Sequence, residues 1–95
     1  MTIDDFKALT AGRATGLPPL LRALWHDARG EWDVAHHLAQ DIEGAEGAWV
    51  HAYLHRKEGD ANNAAHWYDR AGQPVATDSL SAEWARIATV LLGRE

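Results

Sequence analysis

The chain has 95 residues, of which 46% are hydrophobic and 24% charged, and its formal net charge is −5 with His neutral. This length and composition fit one folded domain over residues 1–95 and exclude a largely disordered chain. The acidic balance argues against a nucleic acid partner, because phosphate binding needs a broad basic surface. The absence of Cys excludes disulfides and thiolate zinc sites.

The N-terminal residues Met1 to Asp5 lack the basic and apolar regions of a signal peptide. No apolar stretch of the sequence is long enough to span a bilayer, so no membrane partner is expected. We therefore expect a cytoplasmic location.

The N-terminal half of the sequence predicts three helices. Thr2 is expected to cap the first helix, and residues 12–17 form a loop after it. Pro18 and Pro19 suit the first turn of a second helix, where a missing N–H costs nothing. A third helix is expected to begin at Glu31.

The C-terminal half contains the segment around which the domain is expected to form. Apolar residues occur on nearly all sides of residues 45–58, which predicts a central helix that is buried on several sides. Gly59 is expected to end this helix and Asp60 to cap the next one. A last helix is expected to start at Asp78 or Ser79.

Five Trp residues are spread along the chain, roughly one to each expected helix. Side chains of this size, distributed in this way, usually fill the space between packed helices. We expect at least three of them to belong to the core. They are Trp25, Trp32, Trp49, Trp67 and Trp84.

Residues 23–37 and 52–66 form an internal repeat with an offset of 29 residues. Both copies have an acidic residue after the Gly at which the chain turns. In each copy, the Gly permits a tight turn and the acidic residue caps the helix that follows. The identical pairs are Ala23 and Ala52, His26 and His55, Gly30 and Gly59, Ala35 and Ala64, and His37 and His66. The sequence therefore predicts an all-α domain of about five helices, with two stacked antiparallel helical hairpins and a helix at each end.

The segments Gly-Glu-Trp-x-x-Ala (30–35) and Gly-Asp-Ala-x-x-Ala (59–64) resemble the turn and second helix of tetratricopeptide repeats. Residues 65–72, Ala-His-Trp-Tyr-Asp-Arg-Ala-Gly, are similar to a segment of Sel1-like repeats. The chain also resembles a group of small, uncharacterised bacterial proteins. The repeat of 29 residues is shorter than the usual ~34 of tetratricopeptide repeats. His26 and His55 also occupy a position that is commonly aromatic.

The resemblance implies a protein-interaction or scaffold domain that binds a protein or peptide, including a second copy of itself. First helices of successive hairpins would line a groove for this partner. In this sequence the groove residues would be Leu20, Leu24, Asp27, Trp49, Tyr53 and Arg56. The alternative is that the terminal helices of so short an array cover Trp49 and Tyr53.

His51 and His55 lie four residues apart and share one helical face, which gives a second hypothesis from another class. The pair could bind a divalent metal such as zinc, with Glu58 or His26 completing the site. The alternative is a pair of partly buried His residues that bond to carbonyl or carboxylate groups. A metal or small-anion site predicts that at least two of His26, His51, His55 and His66 converge.

His36 and His37 are adjacent and point about 100° apart on a helix, so they cannot both face one ligand, and we expect both at the surface. His66 could approach His37 across the stack. No G-x-S-x-G, G-x-G-x-x-G or Walker sequence occurs, so the sequence predicts no catalytic residue and no organic cofactor.

Overall fold

The computed structural model describes residues 1–94, which form seven helices and no strand. The all-helical prediction is confirmed, with more helices than expected. The helices are α1 (Ile3–Lys7), α2 (Ala11–Ala14), α3 (Pro19–Ala28), α4 (Trp32–Gln40), α5 (Ala45–Glu58), α6 (Ala61–Ala71) and α7 (Leu80–Leu92).

Helix α2 lies within a segment for which the sequence predicts a loop. Thr10 precedes it, and the Thr10 hydroxyl accepts a hydrogen bond from the backbone N–H of Arg13 at 3.4 Å. This cap satisfies one of the donors that a helix start leaves unpaired. The loop prediction over residues 12–17 is therefore wrong at its N-terminal end.

Three side-chain caps fix the starts of α1, α6 and α7. Thr2 accepts from the N–H of Asp5, and Asp60 accepts from the N–H of Asn63, as predicted. At α7 the cap is Ser79 rather than Asp78, because the Ser79 hydroxyl accepts from the N–H of Ala82.

The turns after α3 and α5 have the same backbone hydrogen bonds. Gly30 and Gly59 both have positive φ angles, 78° and 91°. The N–H after each Gly donates back to a His carbonyl, that of His26 at 3.0 Å or that of His55 at 2.9 Å. The caps differ, because the Glu31 carboxylate contacts the His26 ring and makes no cap on α4. The prediction that an acidic residue caps both helices holds only for α6.

Helix α5 is the central helix, as predicted. Every residue from 47 to 55 is buried, and α5 packs against α3, α4, α6 and α7. Helix α3 packs against α4, and α5 packs against α6. The contact between α4 and α5 joins these two helix pairs. This arrangement leaves α5 with two buried faces that have different neighbours.

Three Trp residues, Trp25, Trp49 and Trp84, are buried in the core, as expected. The indole N–H of Trp25 donates to the Leu9 carbonyl, and that of Trp84 donates to the Leu24 carbonyl, both at 3.0 Å. A buried indole needs such a partner. The second bond ties α7 to the backbone of α3.

No helix among residues 1–94 combines the length and the apolar character that crossing a membrane requires.

Candidate functional site

Three His side chains converge on one face of α5. His51 and His55 lie one helical turn apart on α5, and His36 approaches them from α4. One ligand nitrogen from each ring lies within 4.8 Å of the other two. His51 and His55 are buried and His36 is half-buried. We use "His cluster" for these three residues below.

The spacing of one pair of nitrogens is close to that of two ligands on one metal ion. The Nε2 atoms of His36 and His51 are 3.0 Å apart. Two nitrogens that each lie 2.0–2.1 Å from a tetrahedral zinc ion are about 3.3–3.4 Å apart. Ring movements of a few tenths of an ångström would bring this pair to a metal-binding distance.

Two Trp rings hold the His cluster in place. Trp32 stacks on His36 with ring centroids 4.9 Å apart, and Trp67 stacks on His51 at 4.0 Å. The Trp32 indole N–H donates to the Leu54 carbonyl at 2.8 Å, which fixes this ring against α5. These contacts restrict the rotamers of the two His residues before any ligand arrives.

Glu58 orients the third His residue. Its carboxylate lies 2.5 Å from Nδ1 of His55. A carboxylate accepts hydrogen bonds, so Nδ1 carries a hydrogen and Nε2 is the nitrogen left to face a ligand. The Asn63 amide nitrogen lies 3.4 Å from that Nε2 atom. A carboxylate on the far nitrogen of a His ligand is the usual support of a metal-bound imidazole.

The surroundings keep two of the rings neutral. Burial, followed by the nearby His55 and His36, lowers the pKa of His51 from 6.5 to about 4. Burial and His55 also lower the pKa of His36. Metal ions bind the neutral imidazole, so little proton competition is expected at these two residues at neutral pH.

The structure brings two of the predicted metal ligands together and places the others outside the His cluster. His51 and His55 converge, which meets the condition set for the metal hypothesis. His26 lies outside the cluster, where its Nδ1 atom pairs with Glu31 at 2.9 Å. Glu58 contacts the cluster through Nδ1 of His55. His66 is exposed and stacks edge-on against Trp67.

Sequence reasoning missed His36, which we expected at the surface. The neighbouring His37 is exposed as expected, whereas His36 is half-buried. The ring of His36 turns toward α5 because α4 packs there and Trp32, one turn earlier on α4, stacks on it. The spacing of Trp32 and His36 could have indicated that His36 turns inward, because it places both side chains on one helical face.

His55, Glu58 and Asp60 form a second group whose ligand atoms lie within 4.8 Å of one another. Glu58 and Asp60 are exposed at the turn between α5 and α6. Carboxylates in water carry a higher desolvation cost on binding than preformed, buried imidazoles. The His cluster is therefore the better candidate for a metal site of the two.

Helix α7 covers most of the predicted peptide groove. Of the six predicted groove residues, four are buried and Leu20 is partly buried. Arg56 forms an ion pair with Glu83 of α7 at 2.9 Å. The alternative, that a terminal helix covers Trp49 and Tyr53, is the arrangement found. The four buried residues are Leu24, Asp27, Trp49 and Tyr53.

Two buried carboxylates hold this covered face together. Glu83 is fully buried and accepts from Tyr68 at 2.6 Å, Trp49 at 3.3 Å and Arg56 at 2.9 Å. Burial and the bond to Glu83 raise the pKa of the Tyr68 hydroxyl, which stays a donor at neutral pH.

Asp27 forms the second carboxylate centre. It is buried, and it accepts from the Tyr53 hydroxyl at 2.6 Å and from Lys57 at 2.9 Å. Burial and the bond to Asp27 raise the pKa of the Tyr53 hydroxyl. Both carboxylates have their oxygens bonded to donors on neighbouring side chains, so neither offers a free ligand atom.

Comparison with protein-family models, with curated proteins and with solved structures found no match to this chain. The function must therefore be argued from the site itself.

Proposed function

We propose that the protein binds a divalent transition metal ion at His36, His51 and His55, with zinc the first candidate. The observation that carries this proposal is the convergence of three imidazoles, each with one ligand nitrogen within 4.8 Å of the others. Ligand sets composed only of imidazole suit zinc, copper and nickel, and they disfavour calcium and magnesium, which prefer oxygen.

The proposed site has three protein ligands, so a tetrahedral ion bound there would have a fourth position for another ligand. Closed structural zinc sites have four protein ligands, whereas three His ligands leave a position for water or a bound molecule. Metal binding would replace the hydrogen bond between the Nε2 atoms of His36 and His51, and each ring would then carry its hydrogen on Nδ1. Glu58 already holds His55 in that tautomer.

The tetratricopeptide-like arrangement is the frame of this proposal. It is supported by the two packed helix pairs and by the identical hydrogen bonds in the turns at Gly30 and Gly59. In this frame α4 lies beside α5, which brings His36 to His51 and His55. The protein-interaction function stays a prediction, and it needs a surface other than the face that α7 covers.

Isothermal titration of untagged, chelator-treated protein with zinc chloride tests the proposal. We expect one zinc ion per chain, with loss of at least about tenfold in affinity in both His36→Ala and His51→Ala. His37→Ala is the matched control, because His37 is the exposed neighbour of His36. Equal zinc binding by His37→Ala and His36→Ala, or no saturable binding by the wild type, would refute the site.

A further inference from the structure

A second site is indicated by the only two Lys residues of the chain, which line the same cleft. The sequence has nine cationic side chains, and seven of them are Arg. Lys7 and Lys57 lie 50 residues apart in sequence, at the ends of α1 and α5, and both border a cleft of about 790 Å³. Arg29 also lines this cleft.

The cleft is positively charged within an acidic protein. Three cations face one carboxylate, that of Asp27, which leaves two net positive charges among the lining residues. Asp27 is buried at 2% exposure and already bonded to Lys57 and Tyr53. Its charge therefore neutralises Lys57 in part and leaves the rest of the cleft positive.

Lys7 is the cation most available to a ligand. Its ammonium group lies 5.2 Å from the centre of the Trp84 ring, and it forms no salt bridge among residues 1–94. Arg29 is more committed, because it donates to the carbonyls of Lys7 and Leu9. A helix dipole favours a cation at the end of each helix, but it does not bring the two lysines into one cleft.

The remaining walls of the cleft favour a ligand with an apolar body. Leu80 and Trp84 supply apolar surface, and the exposed Ser81 adds a hydroxyl donor. The volume falls within the range of small-molecule sites, roughly 300–1,000 Å³, and a phosphate ion alone would fill little of it. We infer that this cleft, between α1, α3, α5 and α7, binds a small organic phosphate whose anionic group lies between Lys7 and Lys57.

An NMR titration that follows the backbone amides tests this site with two probes, inorganic phosphate and phenyl phosphate. Both are expected to shift the amides of Lys7, Lys57 and Ser81 in a saturable manner. Phenyl phosphate should bind about tenfold more tightly, because its ring can bury apolar area against Leu80 and Trp84. Equal affinity for the two probes would contradict the apolar part of the inference.

Lys7→Gln is the decisive variant, since Lys7 is exposed and its removal leaves no buried charge. We expect phenyl phosphate affinity to fall about tenfold, the typical loss of a charge-assisted hydrogen bond. Arg13→Gln is the matched control, because it makes the same change in charge on exposed α2, away from the cleft. Equal effects of the two variants, or shifts absent from the cleft amides, would overturn the site. Zinc binding at the His cluster is unaffected by either result.

Discussion

The two buried faces of α5 show two ways in which a small protein can hold polar groups in its interior. On one face Trp49 and Arg56 bond to Glu83, whose carboxylate has its partners within the protein. On the other face the Nε2 atoms of His51 and His55 have only neutral side-chain partners, the imidazole of His36 and the amide of Asn63. Hydrogen bonds between neutral groups are weaker than those to charged groups, so the His face is the one expected to exchange its partners for a ligand.

Removing the Glu83 carboxylate should lower the free energy of unfolding more than any other change predicted below. Glu83→Gln removes the shorter of the two ion pairs of Arg56, leaving only the contact with Asp78 at 3.9 Å, and it weakens the bond to Tyr68. We therefore expect the free energy of unfolding to fall by about 3 kcal/mol. Urea denaturation measures this loss. The exposed Glu43→Gln is the control and should change stability by less than ~0.5 kcal/mol. A loss below ~1 kcal/mol in Glu83→Gln would show that α7 is held by other contacts.

Acidification should also lower the free energy of unfolding, through protonation of His51, but by a smaller amount. The pKa of His51 is about 4 in the folded chain and 6.5 when unperturbed, so the unfolded state takes up a proton first as the pH falls. Protonation of His51 therefore leaves the free energy of unfolding unchanged above about pH 6.5, and it lowers this free energy as the pH falls from 6.5 to 4. Between pH 7 and 5 this amounts to at most roughly 2 kcal/mol.

The comparison that isolates this contribution is between wild type and His51→Gln, both in chelator. The difference in unfolding free energy between the two proteins should shrink as the pH falls from 7 to 5. A difference that stays constant over this range would mean that His51 titrates alike in both states.

Loss of the Glu58 carboxylate should have the smallest effect on stability and a specific effect on metal binding. Glu58→Gln should reduce zinc affinity by about tenfold, because Glu58 fixes the tautomer of His55. Glu31→Gln is the matched control, since Glu31 makes the corresponding contact to His26 outside the cluster. Calorimetric titration of both variants should show the loss only in Glu58→Gln, and equal losses would remove the supporting role of Glu58.

Local chemistry made much of the fold predictable. Thr2 and Asp60 act as caps, Gly59 ends α5, and the 45–58 segment, which has apolar residues on nearly all sides, forms the central helix. Each of these features depends on residues within one or two helical turns. The pairing of His51 with His55 was predictable for the same reason.

Features that depend on how distant helices meet could not be read from the sequence. Repeat symmetry suggested that His26 would join His55, but the ring that reaches the cluster is His36, because α4 rather than α3 presents a His residue there. Glu83 reads as part of a solvated face, since a charged residue is rarely buried. Its partners Tyr68 and Arg56 lie on other helices, 15 and 27 residues away.

A long-range proton–nitrogen NMR spectrum of the imidazole rings, recorded with and without one equivalent of zinc, tests the central claim most directly. The account predicts that the Nε2 resonances of His36, His51 and His55 shift together, while those of His26, His37 and His66 stay unchanged. Shifts that are confined to exposed His residues, or an unchanged spectrum, would contradict a metal site at the His cluster.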